Sequence, residues 1–265
     1  MILRDLHVHT TYCDGKNSPE EMVLSAIEKN LECIGFSAHS YTFFDESYCI
    51  KKDQIKEYIS EINALKTKYK DNIRILCGIE QDFYSDMPTS EYDYVIGSVH
   101  YIKINNEYFE IDSDKESLIK LIEKHFDGDY YALAEEYYKT VVKMAENIRP
   151  DIIGHLDLIS KFNKDYVLFD ENNERYKKTK KDAVDRILKL NIPFEINVGA
   201  ISRGYKDVPY PDLETICYIA ESGGKLILSG DSHSKDTLCF QFKKWNNVLK
   251  ENNIDYEKFC INIKP

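Results

Sequence analysis

Two short phrases near opposite ends of the chain contain residue types that bind transition metals. They are His7-Val8-His9 and Asp231-Ser232-His233. In an extended strand, residues two apart point to the same side, so both imidazoles of the first phrase can bind one ion. Each phrase stands at the end of an apolar run that is typical of a strand. The spacing therefore predicts a metal site where these two strands end.

Further candidate ligands occupy similar positions. Of the seven histidines in the chain, six stand at the ends of apolar runs, and only His125 does not. Glu80 also follows such a run, and a buried carboxylate is costly unless it is paired or bound to a metal. Asp14 lies in a loop that can fold back over the strand ends. The candidate ligands are His7, His9, Asp14, His39, Glu80, His100, His155, Asp231 and His233.

The elements that must position these side chains are strands and helices that alternate along the chain. Continuous apolar strands are typical of a parallel sheet that is buried on both faces. The sequence therefore predicts an α/β fold, a distorted seven-stranded (β/α)7 TIM-like barrel, with its chemistry at the carboxyl ends of the strands. The predicted strands cover residues 2–8, 33–38, 73–79, 94–99, 152–155, 193–198 and 225–229.

Amphipathic helices are predicted between the strands. Ser18 caps the first helix, with Pro19 at its first position and acidic residues in its first turn. The stretch 105–129 is less regular and predicts a loop with one short helix. The later predicted helices cover residues 52–69, 130–147, 173–190, 212–221 and 237–252.

Composition limits the possible functions. The 265 residues contain no Pro/Gly/Ser-rich linker, which predicts a single domain over residues 1–265. Because there is neither a leader pattern nor a long apolar run, we expect a soluble, cytoplasmic protein without a membrane partner. The seven cysteines lack a C-x-x-C pair, which argues against disulfides and a zinc ribbon. A net charge of -11 works against nucleic-acid binding.

The order and spacing of these motifs carry a family resemblance. The chain resembles the polymerase and histidinol phosphatase (PHP) superfamily over nearly its whole length, through His7-Val8-His9-Thr10 with Asp14-Gly15, His39-Ser40, Gly78-Ile79-Glu80, Gly97-Ser98-Val99-His100, Gly154-His155 and Asp231-Ser232-His233. The phrases at 13–22, 35–40 and 92–100 are similar to those of its stand-alone histidinol-phosphatase branch.

The resemblance implies two or three divalent metals, and the ligand types favour Zn, Mn or Fe without choosing among them. It implies that Glu80, Asp231 and His233 are catalytic. It also implies three sets of ligands, in which Glu80 bridges two ions. The first ion would be held by His7, His9, Glu80 and Asp231, the second by Glu80, His100 and His155, and the third by Asp14, His39 and His233.

Three further residues are candidates for substrate binding. Arg203 follows the sixth predicted strand in a loop bounded by glycines, and its guanidinium can bind phosphate with two hydrogen bonds. Lys161 follows His155 at a place where relatives often have a basic residue. Asp82 shares a face with Glu80 if the strand continues, and it could meet a substrate ammonium. A surface arginine and a solvated acid are the plainer interpretations of Arg203 and Asp82.

By the same resemblance, the expected reaction is hydrolysis of L-histidinol phosphate to L-histidinol and phosphate, a step of histidine biosynthesis. The expected partner is a small phosphomonoester, and the protein is expected to be a monomer or a homodimer. Three alternatives remain open: a phosphotyrosine-protein phosphatase of the superfamily, a nucleotide phosphatase or nuclease, and a metal-binding module without catalytic activity.

Overall fold

The computed structural model describes residues 3–254 and Tyr256, and seven parallel strands dominate this part of the chain. The first of the seven predicted strands was expected to begin at residue 2, which lies outside the described residues, as does Cys260. The described strands are β1 (Arg4–Val8), β2 (Cys33–His39), β3 (Arg74–Asp82), β4 (Tyr94–Ser98), β5 (Tyr101–Ile104), β6 (Glu107–Glu110), β7 (Ile152–Ile153), β8 (Phe194–Asn197) and β9 (Leu226–Ser229).

Helices follow most of these strands. Within the described residues, three short 3₁₀ helices add single turns to the loops, at Leu158–Ser160, Lys164–Tyr166 and Lys235–Thr237. The α-helices are α1 (Pro19–Glu28), α2 (Ile55–Lys68), α3 (Lys115–His125), α4 (Tyr130–Ile148), α5 (Glu174–Leu188), α6 (Gly199–Ser202), α7 (Leu213–Glu221) and α8 (Phe242–Glu251).

The main sheet closes into a barrel. Its strand order is β1-β2-β3-β4-β7-β8-β9, with every neighbouring pair parallel. The first and last strands meet where Val8 pairs with Ser232, because the amides of His9 and Ser232 each donate across the seam at 2.9 Å. The predicted seven-stranded barrel is confirmed, and its closure places the two metal-binding phrases side by side.

A bulge in β1 allows the neighbouring residues Leu6 and His7 to face two different parts of the barrel interior. Between Asp5 and Val8, β1 has one more residue than β2. Leu6 therefore packs in an apolar cluster inside the barrel, whereas His7 faces the polar end. We call this cluster the barrel floor, and it consists of Leu6, Leu76, Tyr94, Ile96, Ile152 and Ile227.

Local sequence signals are confirmed where they depend on near neighbours. Ser18 and Glu21 form a reciprocal capping box at the start of α1, and Pro19 occupies the first turn. The stretch 105–129 contains the one helix predicted there, the eleven-residue α3, and also the strand β6. Strand β6 pairs with β5 in an antiparallel hairpin that the sequence interpretation missed. The last helix begins at Phe242, five residues later than predicted, after the 3₁₀ turn.

Two expectations from composition can be compared with the described residues. The six cysteines in this part of the chain form no disulfide with one another. Within residues 3–254 and Tyr256, no helix has both the length and the apolar character that crossing a membrane requires.

Candidate metal centre

The carboxyl ends of the barrel strands bring all nine predicted ligands together. Each has a ring nitrogen or a carboxylate oxygen within 3.9 Å of another member of the set. We call these nine residues the mouth cluster. Seven of them are buried, His233 is partly exposed, and the Asp14 side chain is 36% exposed. The opening to solvent therefore lies on the side of Asp14 and His233.

Glu80, near the end of β3, lies at the centre of the cluster. Its Oε2 is 2.8 Å from His39 Nδ1 and 3.3 Å from His7 Nε2. Its Oε1 is 2.8 Å from His155 Nε2 and 3.4 Å from His100 Nε2. Because the two oxygens face different histidines, this carboxylate has the geometry to bridge two ions.

Asp14 contacts the three histidines in the outer part of the cluster. Its Oδ2 is 3.1 Å from His233 Nε2, and its Oδ1 is 3.6 Å from His39 Nε2 and 3.7 Å from His9 Nδ1. His9 directly follows β1, His39 ends β2 and His233 lies in the loop after β9, so this group forms only when the barrel closes.

The loop after β1 folds back over the strand end, as the sequence predicts. The amide of Gly15 donates to Thr10 O at 3.0 Å, and the amide of Lys16 donates to His233 O at 2.8 Å. A Cβ on Gly15 would lie 2.4 Å from the backbone nitrogen of Thr10, so only glycine permits this approach. The turn thereby holds Asp14 over the mouth.

The donor atoms have the spacing of metal ligands. Two ligands about 2.1 Å from a tetrahedral metal lie about 3.4 Å from each other. His9 Nε2 is 3.4 Å from Asp231 Oδ1 and 3.6 Å from Glu80 Oε2. Three groups have all their donor atoms within 4.8 Å of one another, namely His9, Asp14, His39 and His233; His7, His9 and Glu80; and His39, Glu80 and His100.

Several of these buried atoms lack a hydrogen-bond partner among the described residues. They include His7 Nε2 and His9 Nε2, which both face the centre of the mouth. A buried polar atom without a partner carries a desolvation cost that a bound cation would offset. The donor set therefore fits divalent transition metals.

Glu195, on β8, orients His7, although the sequence interpretation did not single it out. Its Oε1 is 2.7 Å from His7 Nδ1, and its Oε2 accepts from the amide of His155 at 3.0 Å. Both side chains are fully buried. The carboxylate leaves His7 Nε2 facing the mouth, the arrangement that metal-binding histidines commonly have. The sequence does contain one signal that could have identified Glu195, because it is a carboxylate within the otherwise apolar start of β8.

Burial and neighbouring charges shift the pKa values of Glu80, Asp231 and His9 toward the forms that bind metals. At His7, His39 and His100, burial opposes the charge but nearby carboxylates outweigh it and raise the pKa. Burial opposes a charge on Glu80, but the surrounding histidines outweigh it and hold the pKa of Glu80 well below its usual range. Burial likewise opposes a charge on Asp231, and Arg203 leads the groups that hold its pKa low. Burial, assisted by two neighbouring imidazoles, lowers the pKa of His9 to about 3. Ionised carboxylates and a neutral imidazole are the forms that bind metals.

Arg203 lies at the edge of the mouth, in the turn that follows β8. Its Nη2 is 3.0 Å from Asp231 Oδ2, and its Nη1 is 2.9 Å from His233 Nδ1. A Cβ on Gly199 would come within 2.6 Å of Asp231 Oδ2, so glycine is needed for this turn to pass the carboxylate. The Arg203 side chain is 30% exposed. Its guanidinium thus touches the mouth cluster and also reaches solvent.

Lys161 contacts an acid instead of the mouth cluster. Its Nζ donates to Asp112 Oδ2 at 3.0 Å and to Asp112 O at 2.5 Å. Burial opposes a charge on Asp112, but Lys161, His100 and His155 together lower its pKa. The pair therefore lies on the side of the mouth that contains these two histidines.

Asp82 is buried beside His100. Its Oδ2 accepts from the amide of His100 at 3.0 Å and lies 3.4 Å from that residue's Nδ1. Its Oδ1 accepts from the amide of Tyr84 at 2.8 Å. These contacts orient His100, and the predicted contact with a substrate ammonium stays a prediction.

Aromatic rings line the mouth on the side of His39 and His100. The Tyr48 ring centre is 5.0 Å from that of His39 and 6.1 Å from that of Tyr101. The rings of Phe44 and Tyr108 stack at 3.9 Å. We call this set the aromatic wall, and it consists of Phe44, Tyr48, Tyr101 and Tyr108.

A parallel barrel whose mouth gathers imidazoles and carboxylates around one central carboxylate has the architecture of a metal-dependent hydrolase. A profile of the PHP domain family matches residues 5–200, and the chain belongs to this family. The family resemblance that the motifs carry is confirmed.

Individual relatives agree with this membership. A Deinococcus radiodurans protein named probable histidinol-phosphatase is 26% identical over 256 residues, which cover 91% of this chain and 90% of the relative. The solved structure of a candidate histidinol phosphatase from Listeria monocytogenes has a TM-score of 0.79 and 19% identity, covering 91% of this chain and 99% of that one.

A second solved structure is similar over almost the whole chain. It is the histidinol phosphate phosphatase of Lactococcus lactis in complex with zinc, L-histidinol and phosphate. Its TM-score is 0.68 at 21% identity, and the match covers 96% of this chain and 95% of that one. At these identities the two structures establish a shared barrel fold.

Proposed function

We propose that this protein is a metal-dependent phosphatase that hydrolyses L-histidinol phosphate to L-histidinol and phosphate, a step of histidine biosynthesis. The observation that carries the proposal is the convergence of nine imidazole and carboxylate side chains at the mouth of a PHP-family barrel. A relative of similar length that carries the name probable histidinol-phosphatase supports the choice of substrate.

The mouth cluster would hold up to three ions of Zn, Mn or Fe. The donor spacing supports two sets that share Glu80 and a third set around Asp14. When bound, such ions lower the pKa of coordinated water and neutralise phosphoryl oxygens. The proposed sets are His7, His9, Glu80 and Asp231; Glu80, His100 and His155; and Asp14, His39 and His233.

The protein's own cations would bind the phosphate. Arg203 is the first candidate, because its guanidinium reaches solvent beside Asp231 and His233, two of the residues proposed to be catalytic. Lys161 is the second, and it would have to turn away from Asp112 to reach the phosphate. Glu80, the third proposed catalytic residue, would fix the ions in position relative to these cations.

The aromatic wall and nearby acids favour a leaving group that is cationic and aromatic. Tyr48 lies beside His39, within the mouth. Burial, followed by the charges of Asp112 and Asp45, raises the pKa of Glu110 to about 7. An ammonium close to Glu110 and Asp112 would relieve the repulsion between these two acids. L-Histidinol carries both an ammonium and an imidazole, and it therefore fits this side of the mouth.

The alternatives fit the described residues less well. The net charge of -11 opposes long-range attraction of nucleic acids, which supports a small phosphomonoester over a polynucleotide. A phosphotyrosine peptide would match the aromatic wall but would not use the acidic groups. We further propose that the protein acts in the cytoplasm as a monomer or a homodimer.

A phosphate-release assay tests the proposal. Metal-stripped protein is reloaded separately with Zn, Mn and Fe and is assayed on L-histidinol phosphate, a phosphotyrosine peptide and a nucleotide. We expect the highest kcat/KM on L-histidinol phosphate with at least one metal. The matched control substrate is the analogue that lacks the amino group, and it should react more slowly. Faster turnover of the peptide or the nucleotide would replace this function with the corresponding alternative.

A further inference from the structure

A second concave site lies away from the mouth, on the outside of the barrel. It is a cleft of about 1070 Å³ between α5, α7 and the loops at 163–172 and 206–212, and we call it the α5–α7 cleft. No member of the mouth cluster is among its lining residues. The volume is in the range of sites that bind small molecules.

Two buried lysines line the inner part of this cleft. The whole residues Lys206 and Lys180 are only 5% and 8% exposed. The ammonium of Lys206 donates to Ser160 Oγ at 2.6 Å, and its nearest carboxylate, Glu171 Oε1, is 3.8 Å away. An ammonium has three N–H donors, so Lys206 has donors to spare in a place where water is scarce. Buried charges of this kind call for a further partner.

The acid beneath these lysines is also incompletely paired. Asp157 is fully buried, and neither of its carboxylate oxygens has a hydrogen-bond partner among the described residues. The ammonium of Lys180 is 3.9 Å from Asp157 Oδ2 and pairs more closely with Asp212. The charges of Lys180 and Lys206 therefore oppose that of Asp157, but the described residues leave its carboxylate oxygens without a hydrogen bond.

The charges of the cleft indicate the chemical class of its ligand. Six lysines and seven acids line it, so a polyanion such as a nucleotide gains no net attraction. A positive and a negative group stand side by side at Lys206 and Glu171. The head group of an α-amino acid carries a carboxylate and an ammonium on the same carbon, and it therefore matches this pair.

The rim of the cleft offers apolar contacts. Tyr166 is 56% exposed and Val208 is 38% exposed, and both line the cleft. Val184 and Tyr218, on α5 and α7, add further apolar surface. A ligand side chain that covered these groups would bury apolar area, which favours an apolar or aromatic side chain over a charged one.

We propose that the α5–α7 cleft is a binding site for a free L-amino acid with an apolar or aromatic side chain. Its carboxylate binds the ammonium of Lys206, and its ammonium binds the carboxylate of Glu171. The cleft is linked to the mouth, because Lys206 lies three residues after Arg203 in the same turn. The ammonium of Lys206 also donates a hydrogen bond to Ser160, which immediately precedes Lys161. The binding site does not depend on the proposed reaction.

Calorimetric titration of the metal-loaded protein with each of the twenty standard L-amino acids tests this proposal. We expect saturable binding of at least one apolar or aromatic amino acid. Its amide and its N-acetyl derivative should bind at least about tenfold more weakly, because each loses one charge-assisted contact. Addition of inorganic phosphate, a probe of the mouth, should leave the binding unchanged. No saturable binding, or complete displacement by phosphate, would overturn the proposal.

Variants and hydrogen–deuterium exchange locate the binding site. Lys206→Met should weaken binding at least about tenfold, and Lys206→Arg should restore part of it. Glu171→Gln gives a second test if Lys206→Met does not fold. Lys139→Met, at an exposed lysine paired with Glu136, is the matched control and should bind the amino acid normally.

Binding of the amino acid should slow hydrogen–deuterium exchange at 163–172 and 206–212. Protection at the mouth, or parental binding by both cleft variants, would refute the site.

Discussion

The two ends of the barrel interior differ in what they bury: the barrel floor buries apolar side chains, and the mouth buries imidazoles and carboxylates. At the barrel floor, Leu6, Leu76 and Ile227 are each at most 5% exposed and pack against one another. The one polar group there, the hydroxyl of Tyr94, donates to Leu6 O at 2.6 Å. At the mouth, the same strands bury imidazoles and carboxylates, and several of their polar atoms lack a hydrogen-bond partner among the described residues. The groups of the floor satisfy one another by packing and one hydrogen bond, whereas the buried polar atoms of the mouth require cations.

Strand β3 shows the contrast within one element. Leu76 belongs to the barrel floor, and Glu80 stands four residues further along, on the same face of the strand. A change at Leu76 should alter the stability of the fold, and a change at Glu80 should alter the chemistry. The comparison is therefore open to four mutational tests, given below from the largest expected effect on activity to the smallest.

Glu80→Gln should have the largest effect, because it removes the charge that five histidines surround. We expect kcat/KM to fall on the order of 10³-fold or more, which corresponds to about 4 kcal/mol of transition-state stabilisation. Elemental analysis should find more than one transition-metal ion per chain in the parent and fewer in the variant. Circular dichroism should show an intact fold. Parental turnover by Glu80→Gln would exclude the bridging role.

Arg203→Lys should have the next largest effect. The substitution keeps the charge but loses the second hydrogen bond of the guanidinium, and charge-assisted bonds contribute about 1.5 to 3 kcal/mol each. We expect kcat/KM to fall about 10- to 200-fold, with metal content unchanged and weaker inhibition by inorganic phosphate. Arg175→Lys, at an exposed arginine paired with Glu135, is the matched control. If Arg203→Lys retains parental activity and phosphate inhibition, as the control should, Lys161 becomes the first candidate for the phosphate contact.

Glu195→Gln tests whether the orientation of His7 matters. The change preserves the size of the side chain but removes the negative charge 2.7 Å from His7 Nδ1. Loss of such a partner typically lowers metal affinity or activity about 10- to 100-fold. Competition with a chelator measures the affinity directly, and Glu135→Gln on the surface is the control. Unchanged metal affinity and activity would mean that packing alone orients the imidazole.

Leu76→Ala tests the barrel floor and should have the smallest effect on activity. Removing a buried leucine costs about 2 to 5 kcal/mol of folding free energy, because it leaves a cavity. We expect chemical denaturation to show this loss, while metal content and kcat/KM of the folded protein stay near parental values. A large fall in metal content at temperatures where the variant is folded would show that the floor and the mouth are coupled.

Much of the fold is readable from local patterns. The seven barrel strands lie at the predicted places because continuous apolar runs mark strands buried on both faces. The hairpin of β5 and β6 was missed because it is short and no residue of β6 is buried, so its pattern resembles a loop. Strand β7 has only two residues, and its pairing with β4 and β8 decides that it is a strand.

The sequence by itself determined the types of the candidate ligands and their place at the strand ends. The phrase around His7 and His9 depends only on the two-residue period of a strand, and the cap at Ser18 depends only on neighbouring residues. The tertiary structure alone decided that Glu195, 188 positions away, meets His7. It also decided that Arg203 lies against Asp231. Local periodicity fixes the face on which a side chain lies, but only closure of the barrel determines which distant side chain it meets.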